Sequence, residues 1–424
     1  METYGKILLI AIPTFLVFVL IEKWYGWYKG NDTVRNLDMI SSLSSGITNV
    51  TKDVLGLSVV IISYGWMLKH LAVFHVDSGF WTYFIAFMAL DFSGYWIHRI
   101  AHRYNIFWNN HIIHHSSEEF NLACALRQSI SVFFRIFTFF LLPAAFLGVP
   151  AQVIAVVAPL HLFAQFWYHT RHIGKLGLLE HVLVTPSHHR VHHAINPEYI
   201  DRNFSQIFII WDKLFGTFQE ELKDIPPVYG ITVPVRTWNP IRINFQHAWQ
   251  LTKDAWHAQD LRDKFRIWFM PTGWRPEDVL ERFPLEKIDN VYDFEKYDTR
   301  ASASFHVWCW VQLLFILAFI SWFLGNLADI GMPGIFQYGA FIFLTVYAIT
   351  DLMDRNPSAI FWESVRNLFA AYLLYAQGGD WFGAASLLPG AGGLVAAYLG
   401  LSMVVALYFT VIHNREDKLS VQMA

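Results

Sequence analysis

Eight histidines fall into three short blocks: His98 and His102; His111, His114 and His115; and His189, His192 and His193. The second and third blocks share the pattern H-x-x-H-H. Histidine is a modest helix former and awkward to bury, so such crowding is not an ordinary way to build a core or a surface. Residues three and four apart share one helical face, so each block offers imidazoles that point the same way. Metal ligation uses that arrangement, because neutral ring nitrogens at fixed spacing can share one ion, and the ion in turn keeps the rings neutral. Three protein ligands satisfy a catalytic zinc with an open position. Eight imidazoles therefore point to two metals. Imidazole suits zinc, copper, iron and nickel alike, so spacing leaves the element open.

The elements that must position these blocks belong to a membrane protein. Of 424 residues, 54% are apolar and only 15% charged, against about 25% charged in an average soluble domain. A net charge of −3 leaves no basic excess to attract nucleic acid. Cys124 and Cys309 show no C-x-x-C spacing and make no disulfide framework. Apolar stretches of about 20 residues, the length that crosses a bilayer, occur near 7–22, 54–74, 80–98, 130–148, 150–168, 305–325, 334–352, 358–376 and 389–412. The first has no Ala-x-Ala after it and ends on Trp24, Tyr25, Trp27 and Tyr28, an interfacial belt, so it reads as a membrane helix rather than a signal peptide. The Ser-rich stretch 31–53 is expected along the membrane surface, and 171–304 as a soluble or peripheral region. Alternating the loops puts Lys23, Lys29, Arg35, Lys52, Arg99, Arg103, Arg127, Arg355, Arg415 and Lys418 on one side and no Lys or Arg in the short loops opposite. The crowded side is cytosolic by the positive-inside rule. Both H-x-x-H-H blocks lie there, brought together by a hairpin over 130–168. The expected fold is an all-α integral membrane protein, a multi-helix transmembrane bundle with a cytosolic helical cap that carries a histidine-rich di-metal site.

The order H-x-x-x-H, H-x-x-H-H, H-x-x-H-H resembles the fatty acid hydroxylase and sterol desaturase superfamily of integral-membrane di-iron enzymes. The segments WIHRIAHRYNIFWNNHIIHHSSEEFNLACALRQS, QFWYHT, TPSHHRVHHAINPEYIDRNF and IIWDKLFGTFQEE are similar to its alkylglycerol monooxygenase branch, and GWRPED at 273–278 resembles a stretch beyond the superfamily core. The resemblance covers about residues 80–280 and implies two non-haem irons that activate dioxygen and insert oxygen into a lipid C–H bond. It places the eight block histidines at ligand positions, adds His169 as a ninth, and makes His188 a ligand or the partner of one. For an ether lipid, hydroxylation beside the oxygen would release fatty aldehyde and a glycerol derivative. Electrons would come from an external carrier or a pterin such as tetrahydrobiopterin, since no G-x-G-x-x-G follows a strand. Arg103 departs from the branch, which has a glutamate there, and this bears on substrate and reductant more than on the metals. The implied organisation is N-terminal membrane helices and an interfacial segment over 1–78, a catalytic region over 79–280, a linker over 281–304 and C-terminal membrane helices over 305–424.

Several other residues invite roles. Asp91 lies two helical turns before His98 and is expected to orient a ligand ring, and Asn203 to hydrogen-bond one. Trp211, Asp212 and Gly216 are expected to pack the catalytic cap. His161 and His172 have weaker spacing support. Ser116–Ser117–Glu118–Glu119 reads as a capping box that opens a helix. Glu363 and Arg366 read as a structural bridge, or as part of a reductant or headgroup pocket. Within the superfamily, sterol or fatty-acid hydroxylation and desaturation share this histidine framework. A metal-binding or transport protein is the rival of another class, but transport sites sit near the bilayer midplane, and these blocks sit at helix ends.

Overall fold

Whether a segment crosses a bilayer depends on unbroken helical length, because each residue adds about 1.5 Å. In the computed structural model, which describes residues 2–299 and 301–413, four helices are long and apolar enough: Gly5–Tyr28, Ala303–Gly325, Leu327–Met353 and Ala391–Val411. The helices in chain order are α1 (Glu2–Tyr28), α2 (Asn36–Val54), α3 (Tyr64–Leu71), α4 (Phe80–Arg103), α5 (Asn105–Trp108), α6 (Ile112–His115), α7 (Leu142–Phe146), α8 (Ala151–Phe163), α9 (Pro186–His192), α10 (Ile210–Leu214), α11 (Pro240–His257), α12 (Leu261–Arg266), α13 (Glu277–Arg282), α14 (Ala303–Gly325), α15 (Leu327–Met353), α16 (Ala359–Ala376) and α17 (Ala391–Leu407). Strands β1 (Val59–Val60) and β2 (Phe134–Arg135) make one short parallel pair. The protein is thus a helical integral membrane protein. Its largest apolar core joins α1, α2, α14, α15, α16 and α17 through residues such as Met39, Leu313, Ile320, Phe341 and Val346.

Three expected spans are broken. The stretch 54–74 passes from the end of α2 through β1 to the eight-residue α3. The hairpin 130–168 consists of β2, a 3-10 turn, the five-residue α7 and the 13-residue α8. Pro143, Gly148, Pro150 and Pro159 interrupt it, and a hydropathy window does not register such breaks. The 24-residue α4 and the 18-residue α16 are long enough to cross but carry Asp91 with His98, and Glu363 with Arg366.

The Ser-rich α2 is buried rather than laid on the surface. Most of its hydroxyls find protein carbonyls: Ser42 donates to the Asp38 carbonyl at 2.8 Å, Thr51 to Ile47 at 2.8 Å, and Ser41 across to Trp238 at 2.7 Å, whereas Ser44 is buried without a partner. Arg127 and Lys52, counted as surface cations, are buried as well. Arg127 pairs with Asp38 of α2 at 2.7 Å, and Lys52 donates to the Ser129 carbonyl at 3.3 Å. Arg415 and Lys418 lie outside the described residues. Glu363 and Arg366 bond each other inside the bundle, where Arg366 also donates to Tyr398 and Gln312 donates to Ser402. Arg366 donates to Asn367 as well, and Tyr398 donates to Gln312.

Candidate metal centre

Nine histidines converge in two adjoining groups. His98, His102, His111, His115 and His192 form the first, and His114, His169, His189 and His193 the second; within each, one ring nitrogen per residue lies within 4.8 Å of all the others. The end of α4 supplies His98 and His102. The single turn α6 and the residue before it supply His111, His114 and His115, and α9 with the residue after it supplies His189, His192 and His193. Adjacent residues on a helix point about 100° apart, so neighbours separate. His114 and His115 go to different groups, as do His192 and His193. The groups touch where His115 stacks on His193, ring centroids 4.3 Å apart.

The Nε2 atoms face inward. Those of His98 and His111 are 2.9 Å apart, and those of His189 lie 2.9 Å from His169 and 3.0 Å from His193. His115 Nε2 lies 3.1 Å from each of His102, His111 and His192. The outward Nδ1 atoms of His98, His192 and His169 bond the carbonyls of Phe204 at 2.7 Å, Arg202 at 2.9 Å and Gln165 at 3.0 Å. His102 Nδ1 lies 3.4 Å from an Asp201 carboxylate oxygen. A carbonyl only accepts, so His98, His169 and His192 carry their proton on Nδ1 and turn a lone pair inward. His115, when neutral, has at most one Nε2 proton for three neighbours. Lone pairs at such distances repel unless they share a cation. The donor set therefore fits metal ions, and all-imidazole ligation suits iron, zinc, copper or nickel.

Burial first, and then the surrounding imidazoles, hold His111, His114, His115, His189, His192 and His193 well below the usual histidine pKa. Neutral rings are the state that ligation requires. Aromatic side chains enclose them. Phe204 lies against His98, His102 and His192, Tyr168 against His189, and Phe120 over His169.

The expected supporting residues sit elsewhere. His188 is in neither group; its Nδ1 accepts from the Thr185 N–H at 3.4 Å as part of the capping box of α9, because it is one residue, and so one face, away from His189. Asp91 bonds no ligand ring. It accepts from His161, the Ile207 and Phe208 N–H groups and Trp211 Nε1 at 2.8–3.1 Å. Asn203 likewise bonds backbone, donating to the carbonyls of His188 and Gln219. Asp212 accepts from the Phe204 and Ser205 N–H groups, each at 2.8 Å. These three side chains fix the loop 201–208, and the loop fixes the rings. Asp201 and Asn203 both adopt left-handed backbone, φ 57° and 56°, which turns successive carbonyls toward different histidines.

His172 bonds Thr33 at 2.9 Å, outside both groups. No helix opens at Ser117, whose hydroxyl goes to Asp38 at 2.9 Å, while Glu118 accepts from the Tyr297 N–H and Glu119 from Lys296. Arg103 is exposed, and its carbonyl accepts from Thr272. The parts that sequence reasoning missed are Asp201 and the carbonyls of Gln165, Arg202 and Phe204; a backbone carbonyl leaves no mark in residue type.

The fatty acid hydroxylase family model matches residues 83–217, a span that contains all nine histidines. The alkylglycerol monooxygenase of Homo sapiens is 36% identical over 363 residues, 84% of this chain and 80% of that protein. The Xenopus tropicalis protein of the same name is 35% identical over 368 residues, 86% of this chain and 81% of its own. That of Danio rerio is 39% identical over 269 residues, 63% of this chain and 59% of its own. No solved structure matches the chain. With its nine histidines inside the matched span and its relatives aligned over most of both lengths, the chain belongs to the fatty acid hydroxylase family, in its alkylglycerol monooxygenase group.

Proposed function

We propose that this chain is a membrane di-iron monooxygenase that hydroxylates the alkyl chain of a lipid at the carbon next to the ether oxygen of an alkylglycerol. The observation that carries the reading is the convergence of nine inward-facing imidazoles in two adjoining groups, in a chain aligned over most of its length with proteins named alkylglycerol monooxygenase. His98, His102, His111, His115 and His192 hold one iron, and His114, His169, His189 and His193 the other. The irons supply dioxygen activation and C–H oxidation. The protein supplies placement and environment. Arg202, Phe204 and Gln165 hold three rings in the ligating tautomer, neutral ligands leave the metals' charge undiminished, and Phe120, Tyr168 and Phe204 keep water out.

One oxygen atom enters the C–H bond and the other leaves as water, with two electrons and two protons from a soluble donor, for which tetrahydrobiopterin is the candidate. The product is a hemiacetal. Its C–O bond breaks to release fatty aldehyde and the glycerol hydroxyl. Ligands at the cytosolic end of a membrane helix let the alkyl chain stay in the bilayer while the headgroup and the reductant meet at its edge.

The test is metal analysis of the detergent-purified chain with an oxygen-dependent assay on 1-O-alkylglycerol plus tetrahydropterin. The expected result is about two irons per chain and aldehyde release that His114→Ala abolishes. Two irons without aldehyde would move the substrate to a sterol, fatty acid or other lipid, and the absence of a redox metal would end the mechanism.

A further inference from the structure

Helices α11 and α12 lie outside the matched family span, and neither is apolar enough to cross a bilayer. Their outward faces are nevertheless aromatic. Phe245, Trp249 and Trp256 follow one another at four and seven residues, so they form one stripe along α11, and Trp249 and Trp256 are 63% and 81% exposed. Leu261, Phe265 and Phe269 extend it along and past α12, each at least 65% exposed. The opposite face of α11 buries Ile243, Asn244, Leu251 and Asp254. Exposed Lys253, Arg262 and Arg266 flank the stripe. A contiguous aromatic face with basic flanks on an otherwise polar helix is the pattern of a helix lying in a membrane interface.

The attachments of this pair place it at the membrane boundary. At its start, Arg242 pairs with Asp351 at 2.6 Å and bonds the Tyr347 hydroxyl at 2.9 Å, both in the last turns of the spanning helix α15. Phe245 stacks on Phe133, beside the exposed Phe134 of β2. Asn105, just beyond the end of α4, donates through its side chain to the Ile267 carbonyl at 2.9 Å and through its backbone to Met270 at 3.0 Å. The His247 ring donates to the Asn105 carbonyl at 3.1 Å. The backbone N–H of Ala248 donates to Asn109 at 2.9 Å. The stripe is therefore tied both to a spanning helix and to the link between His102 and His111.

We propose that α11 and α12 form an interfacial foot, with their aromatic stripe in the headgroup–acyl boundary of the bilayer that the spanning helices cross. The foot fixes the depth and tilt of the histidine centre through Asn105 and Asn109. Its occupant is lipid, because the face continues from the boundary end of α15 and carries Trp and Phe with cationic flanks. The proposal rests on the membrane placement of the chain and not on its substrate.

The test uses the full chain in nanodiscs of phosphatidylcholine and phosphatidylserine, with a fluorophore at Trp249→Cys or Phe265→Cys and a reference at the exposed Lys223→Cys. Cys124 and Cys309 are buried and stay unlabelled. The expected result is severalfold stronger quenching at positions 249 and 265 by a nitroxide at a shallow acyl position than by aqueous iodide, and the reverse at 223. Iodide quenching at 249 and 265 equal to that at 223 would overturn the proposal. So would protection from both quenchers with energy transfer between copies, which would assign the stripe to a second chain.

Discussion

The two histidine groups differ in what stands behind them. In the first, one loop meets three rings: Arg202 and Phe204 through carbonyls and Asp201 through its carboxylate, on His192, His98 and His102. In the second, only His169 has a firm outer bond, to Gln165. His189 Nδ1 is buried without a hydrogen-bond partner, and His114 Nδ1 has only a loose approach from the Arg127 carbonyl. Outer partners set tautomer and ring orientation. Three of the five rings in the first group thus have outer partners within the fold, against one firm partner among the four rings of the second.

The largest effect expected to sharpen that contrast comes from His115→Ala, which removes the nitrogen facing three neighbours at 3.1 Å. Activity should fall by more than the roughly 10–100-fold typical of outer partners, with the iron count falling below that of His114→Ala. Equal iron loss in the two variants would break the contrast.

Acid comes next. In the metal-stripped chain the buried rings titrate well below 6.5, the ordinary histidine value. Between the two pKa values the unfolded chain binds more protons than the folded one, so stability falls as pH is lowered through 6.5. Thermal melts of stripped protein should drop steeply below about pH 6.5, and metal-loaded protein should resist further into acid. Parallel curves for the two forms would contradict this.

Asp212→Ala should act more selectively, since it releases the Phe204 and Ser205 N–H groups and with them the backing of the first group. About a 10–100-fold weaker hold on one of two metals is expected, read as a new early phase in chelator release. Uniform loss of both metals would count against separate backing. The smallest effect belongs to His188→Ala, which should cost about 1 kcal/mol through the cap of α9 and leave metal content unchanged.

The two histidine groups were legible in the sequence because helical spacing restricts which rings can share a face. All eight block histidines and His169 converge. Their supports were less so. Asp91 and Asn203 were expected on ligand rings but hold the loop 201–208 instead, and which backbone a carboxylate meets depends on how distant segments fold together. Hydropathy identified α1, α14, α15 and α17, whose apolar runs are continuous. It overread 54–74 and 130–168, where prolines, glycine and strand pairing break the helix while leaving composition unchanged. Ser117 shows the same limit on a smaller scale, since Asp38, 79 positions away, takes the hydroxyl that a local cap would have used.

The interleaving of neighbours sets a timetable for biosynthesis. A chain growing from its N-terminus has His98, His102, His111 and His115 in place early but lacks His192, and the second group still lacks His189 and His193. Residues 192 and 193 then complete both groups within one elongation step of each other, before any of α14 to α17 has been translated. Both groups therefore gain their last histidine together, ahead of the C-terminal helices.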